Sequence, residues 1–174
     1  MDIKLFRKKD GGVIQLVDKE KMKDWPVELP LIFIEYIREK KLDTYEDNSI
    51  KKDIESYLDE VMKEVAIPRL IGVLDSENDE EIILSLTRIL DVAKKNVEMV
   101  KPIQKYLVDL QKSKNKKVVE LSETISEMFE KAERRKELAR KRKIMRQKEK
   151  EFLDGKITAQ DYAKIRKDYL LLKE

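Results

Sequence analysis

Between residues 131 and 150 the chain carries eleven Lys or Arg against three Glu, a local charge of +8 in a protein whose net charge is only +3. The remainder is therefore acidic overall, and the basic character belongs to this one segment. As a helix the segment would run for about 30 Å at 1.5 Å per residue, with Arg134, Arg135, Lys136, Arg140, Lys141, Arg142, Lys143 and Arg146 pointing to all sides. Cations so arrayed can neutralise phosphates on more than one side of a rod, as structured RNA or a ribosome requires. A one-sided stripe would better suit a flat membrane surface. No aromatic residue lies between Phe129 and Phe152, so stacking on unpaired bases has no support within the segment. The nucleic-acid-binding candidates are Arg134, Arg135, Arg140, Lys141, Arg142, Lys143 and Arg146. The competing reading is a solvated connector, since blocks of like charge often serve only to keep a helix in water.

Elsewhere the chemistry is sparse. Cys and His are both absent, which removes thiol nucleophiles, imidazole bases and the soft ligands of zinc and copper. Asp75, Glu77, Asp79, Glu80 and Glu81 begin like a calcium loop, but Glu80 stands where glycine is required and Leu86 where a bidentate Glu is required. A solvated turn whose Asn78 or Asp79 caps the next helix fits better. Carboxylates are abundant, yet none sits in a motif that would raise a pKa or place a substrate. The four glycines cannot form a phosphate-binding loop, because Gly11 and Gly12 precede a strand rather than a helix. No catalytic residue, metal or cofactor is expected, and the protein reads as a non-enzyme.

Prolines at 30, 68 and 102 lie 38 and 34 residues apart, and behind each comes an apolar helical stripe, a polar turn and a second stripe. A period of this length signals a helical solenoid. The first unit uses Leu31, Ile34, Ile37 and Arg38, turns across residues 43–48, then returns through Ile50, Ile54, Tyr57, Leu58, Val61, Met62 and Val65. The second opens at Pro68, turns at residues 75–79 and returns through Ile82, Leu86, Ile89 and Leu90. The third opens at Pro102 with Ile103, Tyr106, Leu107 and Leu110, and returns through Val118, Leu121, Ile125, Met128 and Phe129. With no Gly or Pro between Pro102 and Gly155, that last helix is predicted to run from Lys117 to about Leu153. Asp154, Gly155 and Lys156 then break it, and Thr158 with Asp161 offers a capping-box variant for a final helix. The final helix carries Tyr162, Ile165, Tyr169 and Leu172 at alternating spacings of three and four, a seam that asks for a partner. The facing stretch of the long helix offers it mainly Ile144, Met145, Phe152 and Leu153. That is thin, so self-association through the four seam residues is expected.

At the other end, short β-prone runs at 3–7 and 13–17 flank a turn of Lys8, Lys9, Asp10, Gly11 and Gly12, which predicts a β-hairpin that must pack on the helices or on another chain. Trp25 is expected to close over the first helical pair. The fold class is all-α: a short solenoid of about three antiparallel helix pairs over residues 25–132, a β-hairpin in 1–24, and a long charged helix with a C-terminal helix in 133–174. No apolar run approaches a membrane span, and the charged N-terminus has no signal segment, so a cytoplasmic protein is expected.

The stretch IPRLIGVLDSENDEEIILSLTRIL, Ile67 to Leu90, resembles a HEAT repeat in its opening proline, spaced leucines, Asp-rich turn and aliphatic second helix. The resemblance extends over Pro30 to about Ala132 and implies a short right-handed solenoid of antiparallel helix pairs, of a kind that binds proteins or nucleic acids without chemistry. Asp79 matches the turn aspartate of that family loosely, whereas Glu81 or Leu84 stands where the family has arginine. FLDGKITAQDYAKIRKDYL, from Phe152, is similar to short C-terminal modules linked to oligomerisation. The leading expectation is a scaffold or adaptor with a protein partner on the solenoid and self-association through the tail. The alternative is an RNA- or ribosome-associated factor anchored by residues 131–150.

Overall fold

A computed structural model describes the backbone of residues 8–9, 12–13 and 17–173, and the side chains of 17–171 apart from Thr44. The chain is all-α in class and divides into two compact units, Met1–Ile125 and Ser126–Glu174, against the three segments expected.

In the first unit, β1 (Lys8–Lys9) pairs antiparallel with β2 (Gly12–Val13), with Lys8 opposite Val13 and Lys9 opposite Gly12. The ladder thus takes in Lys8 and Lys9, which were expected in the turn. Residues 3–7 and 14–16 of the expected strands lie outside the described residues. Helix α1 (Lys19–Met22) is capped by Asp18, which accepts from the Glu20 N–H. It is tied to α3 (Asn48–Val61) and to the helical turn that follows α3 by Lys19, whose ammonium reaches Glu60 and Glu64 at 2.8 Å each. Those two carboxylates hold the Lys19 pKa above its ordinary value. Tyr57 of α3 donates its hydroxyl to the Val17 carbonyl, and burial pushes that phenol up to about 12. Trp25, half-buried, meets the Phe33 ring edge-on at 5.8 Å, the lid its position suggested.

Helix α2 (Leu29–Tyr36) has Pro30 in its first turn, where the missing N–H costs nothing. The expected turn after it is shorter than residues 43–48, because a π-turn over Ile37–Lys41 and a 3₁₀ turn over Leu42–Thr44 carry the helical path on. The larger departure is at Pro68. It does not open a new repeat from a turn: α3, a π-turn at Met62–Ala66, α4 (Ile67–Gly72) and a 3₁₀ turn at Val73–Asp75 form one unbroken helical path. Pro68 cannot donate to the Glu64 carbonyl. The preceding π-turn adjusts the ladder just there, with the Ile67 N–H bonding to the Met62 carbonyl five residues back. Pro102 likewise sits inside a 3₁₀ segment, Val97–Ile103, that begins after Asn96 and leads into α6 (Gln104–Leu110). Asn96 starts it by accepting from the Glu98 N–H. Two of the three prolines therefore mark adjustments within helical paths rather than repeat boundaries.

Helix α2 lies against α3 and its π-turn, and α4 against α5 (Asp79–Lys95) and the 3₁₀ segment. The core comprises fully buried Ile34, Ile37, Ile54, Leu58, Leu70, Leu86, Ile89 and Ile103, with Ile125 from the start of the long helix. Buried Ser85 is satisfied by donating to the Leu70 carbonyl. The turn before α5 is capped by Asn78, which accepts from the Glu80 N–H, while Ser76 donates to Glu81. Asp79 accepts from the Asn115 side-chain amide at 2.9 Å, so successive turns do meet, through an asparagine rather than an arginine. Arg88 pairs with Glu28 at 2.8 Å, and Arg38 with Asp59 and Glu55 at 2.7 and 3.0 Å. These half-exposed pairs are worth about 1 kcal/mol or less each and chiefly fix how neighbouring helices meet.

Candidate nucleic-acid interface

Helix α7 runs from Lys116 to Leu153, 38 residues, close to the predicted span. Asn115 starts it by accepting from the Lys117 N–H. Its end is a glycine-capped stop: Gly155 takes φ +71°, the Lys156 N–H reaches the Glu151 carbonyl at 2.8 Å and the Gly155 N–H reaches Phe152 at 3.0 Å, the paired bonds of a Schellman motif. Thr158 then accepts from the Asp161 N–H and donates to its carboxylate, starting α8 (Ala159–Lys173). That hydroxyl bond holds the Asp161 carboxyl below its ordinary pKa. No atom lies within 4 Å of where a Cβ on Gly155 would be, so Gly155→Ala costs only backbone strain. The expected loss is about 1–2 kcal/mol, read as faster hydrogen exchange at the amides around residues 150–162 with little change in residues 82–92.

The turn sends α8 back along α7. The Phe152 and Tyr162 rings stack with centroids 5.2 Å apart and planes at 8°. One turn of α8 beyond Ile165, Tyr169 shares a cavity of about 350 Å³ with Arg135, Leu138, Ala139, Arg142, Lys143 and Arg146 of α7. Tyr162, Ile165 and Tyr169 are half-buried, as are Leu138, Lys141, Met145 and Lys148. Two of the seam residues expected to seek a second chain, Tyr162 and Tyr169, thus meet α7 of their own chain. The side chain of Leu172 lies outside the described residues. The half-buried face of α7 was missed because two of its positions are lysines, Lys141 and Lys148, a residue type whose aliphatic stem can lie along apolar surface while its charged end stays in water. Ile144, expected on that face, is 43% exposed and points elsewhere.

Lysines and arginines then separate. Lys131, Lys136, Lys141 and Lys148 pair with Glu127, Glu133, Glu137 and Glu151, each within one turn along the helix, at 3.0, 3.0, 3.7 and 2.5 Å. The Lys148 contact lowers the Glu151 pKa. Arg134, Arg135, Arg140, Arg142 and Arg146 are exposed, and none forms an ion pair with a described residue. Arg135, Arg142 and Arg146, at spacings of seven and four, converge on one stripe beside the seam, joined by Lys143. Arg134, Arg140 and Lys141 fall outside this group, so the candidates are partly gathered and partly dispersed. Comparison of the chain with protein-family models, with curated proteins and with solved structures finds no match.

Proposed function

We propose that the protein is a non-enzymatic adaptor whose basic segment, residues 131–150, binds structured RNA, free or within a ribosome, and whose helical body offers a surface to a protein partner. The observation that carries the RNA half is that all five arginines of the segment are exposed without an acidic partner among the described residues, while Glu133 and Glu137 are taken up by Lys136 and Lys141. Arginine is the cation whose planar fork matches phosphate bidentately. Reading the body as a short solenoid rests on the packing of α2 against α3 and of α4 against α5. The protein-binding half draws on α2, where Leu29, Ile32 and Tyr36 are exposed at helical spacing.

The test is fluorescence anisotropy of the full chain with a labelled structured RNA across about 50 to 200 mM salt. Affinity should fall steeply and linearly on a log–log plot, reflecting counterion release. A flat profile returns the segment to the role of connector.

A further inference from the structure

The fold-back of α8 changes what the basic segment can recognise. Within α7 there is no aromatic side chain between Phe129 and Phe152, and a helix of cations alone reads only backbone charge. The turn at Gly155 brings Tyr169 into that cationic surface, 23 residues along the chain from Arg146. There it lines the cavity of about 350 Å³ together with Arg135, Arg142, Lys143 and Arg146. The remaining lining is Leu138 and Ala139, an apolar floor on which the small alanine leaves room. The ring is half-buried, so it is held by the seam and still open to a ligand. A cavity near 350 Å³ is at the lower end of the range that holds small organic ligands, in scale with a single nucleotide.

We infer that this groove binds an unpaired nucleotide of the RNA, with its base against Tyr169 and the Leu138–Ala139 floor and the flanking phosphates on Arg135, Arg142 and Arg146. The inference rests on the RNA reading of the basic segment and goes beyond it by naming the feature recognised. Single-stranded loops and bulges present bases that can be splayed onto aromatic rings, whereas a continuous A-form duplex keeps its bases stacked. The groove accordingly distinguishes interrupted from uninterrupted RNA, and it does so with sequence tolerance, since every base has a face to stack.

The experiment compares a perfect RNA duplex with the same duplex interrupted by an unpaired internal loop, each titrated with the full-length wild type, Tyr169→Leu and Tyr169→Phe. The wild type should prefer the looped RNA by about tenfold, the scale of one base–aromatic stack. Tyr169→Leu should lose that preference while keeping its duplex affinity and salt slope. Tyr169→Phe should retain it, because the ring and not the hydroxyl does the stacking. Loss of affinity for both RNAs in Tyr169→Leu would mean that Tyr169 only supports the hairpin, and overturns the inference. So does a wild type without preference. Failure of the wild type to bind either RNA overturns the phosphate reading itself, a result separate from the other two.

Discussion

Replacing Arg134, Arg135, Arg140, Lys141, Arg142 and Lys143 together with Gln should abolish most of the RNA affinity without unfolding the hairpin. The six substitutions reduce the local charge of residues 131–150 from +8 to +2. Six phosphate contacts on a duplex carry a log–log salt slope of about −5, or roughly a thousandfold in affinity between 50 and 200 mM salt. The variant should therefore bind weakly at all salt concentrations and show a much flatter slope, shallower by about one for each contact removed. Gln matches Arg and Lys closely in helix propensity, and only one of the six, Lys141, gives up an ion pair, a 3.7 Å exposed contact with Glu137 of little energetic weight. Far-ultraviolet circular dichroism should be unchanged. An unaltered affinity with an intact helix would remove RNA from the account of this segment.

The basic segment was legible in the sequence because charge density and the absence of helix breakers are local properties. The long helix and its stop at Gly155 were readable for the same reason, and so was the Thr158 cap. What composition could not convey was which cations are free. That depends on whether a Glu stands one turn away at a reachable rotamer: Lys136 and Lys141 pair with Glu133 and Glu137, whereas the arginines pair with no described residue. Nor could local pattern reveal that Tyr169 joins Arg142, because the approach is created by the turn at Gly155, which returns α8 to a stretch of α7 far away in sequence.

The repeat pattern was misread at its boundaries for a different reason. Proline in a periodic apolar sequence fits the first turn of a new helix and equally fits a helical path that adjusts its ladder, and only the backbone distinguishes them. Pro30 is the first kind. Pro68 is the second, with the π-turn at Met62–Ala66 immediately ahead of it and no extended residue between α3 and α4. The turn residues proved better markers: Asp47, Asn78, Asn96 and Asn115 each accept from the N–H two residues on, and each stands at the start of a helical segment. Side-chain oxygens that compete with the helix ladder leave a local signature, whereas a proline does not say which ladder it has joined.

Leu86→Ala should destabilise the helical body by about 3 kcal/mol, within the range of about 2–5 for buried leucine truncations, while Leu84→Ala on the same helix should change it by less than about 0.5 kcal/mol. Both lie in α5, two residues apart, which places them about 200° apart around the axis. Leu86 is fully buried and Leu84 is 48% exposed. Truncation at 86 removes side-chain contacts on a helix that packs against both α4 and the Val97–Ile103 segment, leaving a cavity that rigid neighbours can only partly close. At 84 the lost methyls were in water already, and alanine's higher helix propensity offsets part of the change. Urea unfolding of the full chain reads the difference as a lowered midpoint at unchanged slope for Leu86→Ala. Equal effects at the two positions would mean that α5 does not present the Leu86 face to the core, and the packing order from α4 to the Val97–Ile103 segment would have to be redrawn.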